Sequence, residues 1–153
     1  MRDTLATIEL EAMLFGRHMA PARRLPDGAS VLERSHYTLL TRLEATGPMS
    51  IGQLSDAFGL GASTLNRQTA AMMRADLVER IPDPDGGLAR KFRITKTGKR
   101  RLRTERNDNI TGLGRVVSDW ADTDIEAFAT LLAKFNKSVE ERSGRGWPRR
   151  DPL

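Results

Sequence analysis

Ser50-Ile51-Gly52-Gln53-Leu54-Ser55-Asp56-Ala57-Phe58-Gly59-Leu60-Gly61-Ala62-Ser63-Thr64-Leu65-Asn66-Arg67-Gln68-Thr69-Ala70-Ala71-Met72-Met73-Arg74-Ala75 holds two short helices about a glycine turn. Ser50 and Gln53 have the spacing of a capping box, in which the serine caps the helix and the glutamine reaches back. Ile51, Leu54, Ala57 and Phe58 recur at helical spacing, so one face of the first helix is apolar. Gly59 supplies a left-handed residue to end it. Leu60-Gly61-Ala62 then leads to Ser63, the expected cap of a second helix over roughly Ser63–Ala75. Leu65, Thr69, Met72 and Met73 form its inner side. Ser63, Thr64, Arg67, Ala71 and Arg74 form the outer side, with Asn66 and Gln68 on the flanks. This second helix holds no acid, and the next one in the chain is Asp76.

Helix, glycine turn and a second helix with a short, hydrogen-bonding, cationic face match the helix-turn-helix pattern. Its second helix enters a DNA major groove. There Arg and Gln read guanine and adenine edges, while Ser and Thr hold phosphates. A surface helix that lacks acids by chance is the plain alternative. The next segment favours DNA. Leu77–Ile81 is β-prone, Pro82-Asp83-Pro84-Asp85-Gly86-Gly87 is dense turn chemistry, and Arg90–Thr95 alternates charged with apolar or β-branched residues. A hairpin placed directly after a helix-turn-helix is a wing. Its return strand and base offer Arg90, Lys91, Arg93 and Lys96 to phosphates.

At these residues the chain resembles the MarR-type winged-helix regulators. The resemblance is carried by Gly61-Ala62-Ser63-Thr64-Leu65-Asn66-Arg67, Leu77-Val78-Glu79-Arg80, Pro82-Asp83-Pro84-Asp85-Gly86 and Ile94-Thr95-Lys96-Thr97-Gly98. Their order matches the family's recognition helix, first wing strand, wing tip and wing exit, and the flanking helices also fall in place. One position departs. Such wings carry an Asp-x-Arg near the tip, and here Leu88 stands at the arginine, with Arg90 two residues on as its substitute. The resemblance implies a homodimer on a pseudo-palindromic operator, most often as a repressor. It also implies a small-molecule effector pocket near His36 and Tyr37. For these two residues a packed tyrosine and a surface histidine are the plain alternative. A winged helix used for protein contact, with DNA binding lost, is the alternative function.

The 153 residues carry 25 Lys+Arg against 20 Asp+Glu, a formal charge of +5. The excess is local: Gly61–Arg106 holds 12 basic and 5 acidic residues, which leaves the remainder slightly negative. A localised basic patch suits a polyanion partner. There is no cysteine, which excludes disulfides, thiolate metal sites and thiol switches. His18 and His36 have no metal-ligand spacing. Neither a metal nor a cofactor is expected. No apolar run approaches a membrane span, and Glu9 and Glu11 interrupt any signal-peptide core. A soluble, cytoplasmic protein is expected. No nucleophile elbow, Walker loop, dinucleotide fingerprint or zinc-protease motif occurs, so no enzyme is expected.

Outside the winged helix, Thr4–Met19 reads as a helix with a seam of Leu5, Ile8, Ala12, Phe15 and Met19. Pro21–Gly28 is a loop. Ser30-Val31-Leu32-Glu33 forms a second box, opening a helix to about Ala45. Thr97 is the expected cap of a long helix through Val117, in whose first turns Lys99, Arg100, Arg101 and Arg103 crowd. Phosphate near that end, or plain solvation, accounts for them. Thr123-Asp124-Ile125-Glu126 opens a last helix expected to bury Phe128, Leu131, Leu132, Phe135 and Val139.

The expected fold is mainly α with a small β-hairpin wing. Residues 30–98 form the winged helix-turn-helix DNA-binding domain. Residues 1–29 and 99–142 supply N- and C-terminal dimerisation helices, whose surplus apolar faces would pair across a twofold axis. Residues 143–153 are expected to be a loose tail.

Overall fold

The computed structural model describes residues 1–19 and 32–149. The elements run α1 (Arg2–His18), α2 (Arg34–Thr46), α3 (Ile51–Phe58), α4 (Ala62–Arg74), β1 (Val78–Ile81), β2 (Lys91–Ile94), α5 (Lys96–Val116) and α6 (Asp122–Ser143). The strands are antiparallel, with Val78 opposite Ile94 and Glu79 opposite Arg93. Met49, just before α3, bridges Phe92 through both backbone bonds (3.1 and 2.8 Å), an isolated bridge that joins the wing to the helix-turn-helix.

The core belongs to α2 through the start of α5. Leu40, Leu54, Leu65, Met72 and Leu102 are fully buried there. These residues sit at the apolar positions of each helical stripe, so period alone brings them together. Alternation does the same in the wing, where Phe92 and Ile94 turn inward and Arg93 outward.

The capping box of α3 is present: Gln53 N donates to Ser50 Oγ and Ser50 N donates to Gln53 Oε1. Gly59 ends that helix in the left-handed region, φ 64°. Other caps differ from expectation: α6 starts at Asp122 with Ala121 as its cap and no side-chain cap bond, so the Thr123 box does not open it. The cap of α4 is Gly61, not Ser63, and its carbonyl accepts from Thr64 N and Leu65 N. Glycine is a tolerated cap, and the early start leaves Ser63 inside the first turn. The cap of α5 is Thr95, not Thr97; Thr95 Oγ1 accepts from Gly98 N at 2.9 Å. Both threonines have capping chemistry, and the end of β2 at Ile94 decides between them.

These threonines make a joint with Asp76, which lies between α4 and β1 in the left-handed region, φ 55°. Thr95 Oγ1 donates to Asp76 O (2.6 Å) and Thr97 Oγ1 to Asp76 Oδ2 (2.8 Å). Leu77 N donates to Met72 O and Thr95 N to Leu77 O. Gly98 packs so close to Leu77 O that a Cβ there would overlap the carbonyl.

Helix α2 starts at Arg34 after Glu33, with no side-chain cap. The box expected at Ser30 is therefore not the start of this helix. Ser30, with the loop Pro21–Gly28, lies outside the described residues. Neither α1 nor α6 has a buried residue within the chain. Phe128, Leu131, Phe135 and Val139 are exposed in the single chain, so the burial expected of them is not supplied by this chain. Gly144 caps α6, but the segment after it is not loose. Trp147 and Arg149 fold back onto Glu140.

Candidate nucleic-acid interface

Helix α4 sorts its residues as its period requires. Leu65, Thr69 and Met72 are buried, and Thr69 satisfies its hydroxyl by donating to Leu65 O at 2.8 Å. Ser63, Asn66, Arg67 and Arg74 are exposed on the other side. Thr64, Gln68 and Ala71 are half-buried between the two sides. Gln68 turns its side-chain oxygen inward, where it is buried with no hydrogen-bond partner. Ser63, Asn66, Arg67 and Arg74 are thus the groups that α4 displays without obstruction. Its first turn holds no acid, so the positive end of the helix dipole is uncompensated there.

In the wing, Arg90 lies one residue before β2 and not within the strand, and it is exposed. Arg90 lines one side of a cleft of about 510 Å³ together with Arg80 from β1. Asn66 and Met73 of α4, with Ser50 at the cap of α3 and Ile51 in its first turn, line other parts of it. The cleft therefore lies between the helix that would enter a groove and the hairpin that would flank it. Arg80 was not singled out as a site residue from the sequence. The available signal was its place on the short strand opposite Phe92, whose side chain is buried, with no acid directly across the ladder.

Lys96 opens α5, while the two cations of β2, Lys91 and Arg93, are engaged within the protein. Lys91 Nζ lies 2.9 Å from Asp83 Oδ1 and 3.7 Å from Asp85 Oδ2, with its side chain largely covered. The Asp83 carboxylate raises the Lys91 pKa, and Lys91 in turn lowers that of Asp83. Arg93 faces Glu79 across the ladder, with Nη2 and Nε both 2.8 Å from Oε1. This pair is half exposed and open to solvent screening. Of the wing cations expected to meet phosphate, Lys91 is the one least available. Leu88 stands fully exposed at the wing tip.

His36 and Tyr37 lie away from this face, on α2. His36 Nε2 is 3.9 Å from Glu33 Oε2. Tyr37 packs against the core. Arg106 of α5 has its pKa raised chiefly by Glu44, 2.8 Å away, and to a lesser degree by the Tyr37 side chain. These contacts tie α2 to α5. The cleft described above does not include either residue. Among the described residues, no group of three or more His, Cys, Asp or Glu could hold a metal ion. No helix among them is long and apolar enough to cross a membrane.

Comparison with known proteins agrees with this geometry. The model of the MarR family matches residues 32–86. The uncharacterized HTH-type transcriptional regulator YxaD of Bacillus subtilis (strain 168) is 34% identical over 137 residues, which cover 90% of this chain and 96% of that protein. A MarR family protein from Bacillus stearothermophilus superposes with a TM-score of 0.67 at 22% identity, covering 90% of this chain and 91% of its own. The MarR family transcription regulator SP03579 superposes with a TM-score of 0.73 at 17% identity, covering 95% and 96%.

Proposed function

The chain belongs to the MarR family of transcriptional regulators, and on that premise we propose that it is a homodimeric repressor acting on a pseudo-palindromic operator in double-stranded DNA. The observation that carries this is α4 itself: a helix locked to the core by Leu65, Thr69 and Met72 that displays Ser63, Asn66, Arg67 and Arg74 without an acid. Arg67 reads guanine in the major groove, Ser63, Thr64 and Asn66 support base or phosphate contacts beside it, and Gln68 joins them only once its inward-turned oxygen swings out. Arg74 and Arg93 meet phosphates. Arg80 and Arg90 hold the backbone where it crosses the cleft, Arg90 in place of the family's wing-tip arginine. Lys91 has a smaller share, because Asp83 and Asp85 already hold it.

In this arrangement residues 30–98 form the DNA-binding unit. Residues 1–29 and 99–142 build the dimer, supported by the apolar faces that α1 and α6 leave open in the single chain. A small-molecule effector near His36 and Tyr37, where α2 meets α5, would shift the spacing of the two recognition helices and release the operator. Coupling of about 1–3 kcal/mol changes DNA affinity roughly 5- to 150-fold. The site of action is the cytoplasm.

The test starts with genomic fragments selected by the protein and sequenced. Titrations then follow on the selected duplex and on scrambled DNA at three salt concentrations. The expected outcome is tight binding to the selected duplex that weakens steeply with salt. A second reading, a winged helix for protein contact, gains support from the engaged Lys91 and Arg93 and the exposed Leu88. Absence of salt-dependent duplex binding would favour it. A ligand screen by thermal shift, followed by DNA titration with each hit, tests the effector. If no hit alters DNA affinity, the effector role is lost.

A further inference from the structure

Helix α6 is tied down at two separated places. Near its start, Phe128 packs edge-on against Phe15 of α1 (6.4 Å between ring centroids) and against Trp120 (5.9 Å). Gly144 follows sixteen residues later, about 24 Å along a helix. There the chain turns back in the left-handed region, φ 66°. The segment after Gly144 is seated on α2 and α3. The Trp147 ring meets Phe58 edge-on at 5.7 Å, and the Arg42 guanidinium lies 5.3 Å from the Trp147 ring centre. Arg42 Nη1 donates to Gly146 O at 2.9 Å, while its Nε is buried without a partner. Glu140 closes the loop by accepting from Trp147 N (3.0 Å) and from both terminal nitrogens of Arg149 (2.8 and 2.6 Å). The Arg145 guanidinium covers Gly59 so closely that a Cβ there would come within 2.9 Å.

The place of attachment matters. Phe58 is the last residue of α3, and Gly59 opens the turn into α4. The tail therefore grips the helix-turn-helix at its turn. A helix held at both ends acts as a strut, whereas a helix held at one end leaves the other free to swing. We propose that Trp147, clamped by Glu140 and Arg149, is a positioning residue that fixes the recognition helix relative to α6 and so sets the half-site spacing the dimer accepts. The proposal rests on the homodimeric operator binding proposed above, since spacing has meaning only for two reading heads on one duplex.

The test uses full-length protein and duplexes carrying two selected half-sites. One duplex has the selected separation, and others are shifted by roughly a quarter turn of the helix. A single half-site duplex serves as reference. The wild type is expected to prefer the selected separation by about tenfold or more, and Trp147→Ala to reduce that preference to about twofold with single half-site binding unchanged. Trp147→Phe should restore it, because a phenyl ring keeps the edge contact with Phe58. If Trp147→Ala loses its helical circular dichroism, Arg149→Ala takes its place. That change removes a half-exposed side chain and should lower the preference in part. A variant that keeps the wild-type preference, or that weakens every duplex by the same factor, overturns the proposal. A wild type that is monomeric or ignores DNA overturns the homodimeric operator binding instead, and the positioning role falls with it.

Discussion

Leu40, Leu54 and Leu65 in the winged-helix head are fully buried, whereas Ile110, Leu131 and Phe135 on the flanking helices are 60%, 63% and 54% exposed. All these side chains are large and apolar, so hydrophobicity alone does not separate them. What differs is whether the chain itself supplies the cover. The head closes its own core from α2, α3, α4, the wing and the first turns of α5. The flanking helices present comparable surface and leave it open, the face that the homodimer proposed above would cover.

The same Leu→Ala change in the two regions gives the widest contrast. Leu40→Ala should cost about 2–5 kcal/mol at any protein concentration, because it empties a closed core. Leu131→Ala should act through association, so its effect on the melting midpoint should depend on protein concentration. Chemical denaturation and melting across a concentration series measure both. A Leu131→Ala protein within about 0.5 kcal/mol of wild type at every concentration would make the contrast a property of a monomer.

The next contrast lies within the head. Arg67→Ala should cost about 1–3 kcal/mol on the selected operator and relax preference at one base position per half-site. Equal losses on operator and scrambled DNA would make Arg67 a phosphate clamp. Arg90→Ala should weaken all duplexes nearly alike and lower the salt slope by about one. Lys91→Ala, whose cation is already paired with Asp83 and Asp85, should leave the slope nearly unchanged. A Lys91 effect equal to that of Arg90 would mean that the wing tip rearranges on DNA.

The smallest effect belongs to the tail. Arg149 holds the Glu140 pKa at about 2, below its ordinary 4.5. A depressed carboxylate supports docking fully above the unfolded value and loses that support as pH falls through the folded one. The Trp147 emission, followed in a Trp120→Phe background, should therefore stay constant from neutral pH to about 4.5 and change only as pH falls toward 2. A transition near 4.5 would mean that Glu140 is not held in solution.

The features legible in the sequence were those set by local rules. The Ser50 box, the Gly59 stop, the inward row of Leu65, Thr69 and Met72 (without Met73, which stands exposed), and the alternation in β2 each follow from neighbours a few residues apart. Features that depended on distant partners were misplaced. Ser63 and Thr97 both carry capping chemistry, yet the link from Gly59 and the end of β2 put the caps at Gly61 and Thr95. The tail has the Gly, Pro and Arg composition of a loose end, and nothing local in it announces that Phe58 and Arg42 await Trp147. Lys91 looked available until Asp83, eight residues away through a turn, claimed it. The burial of Phe128 and Leu131 was expected from spacing alone, but spacing cannot say which chain provides the cover.

The joint at Asp76 bears on how the head opens. Leu77 N is bonded to Met72 O, Thr95 N to Leu77 O, and Gly98 N to Thr95 Oγ1. Each acceptor's residue supplies the next link, so the bonds of these three amides form one continuous chain. In hydrogen–deuterium exchange they should behave as one protected unit, exchanging at a common rate set by opening of α4, the wing and α5 together. A pull on the first turn of α5 would then reach the recognition helix as a displacement of the whole block rather than as a bend within it.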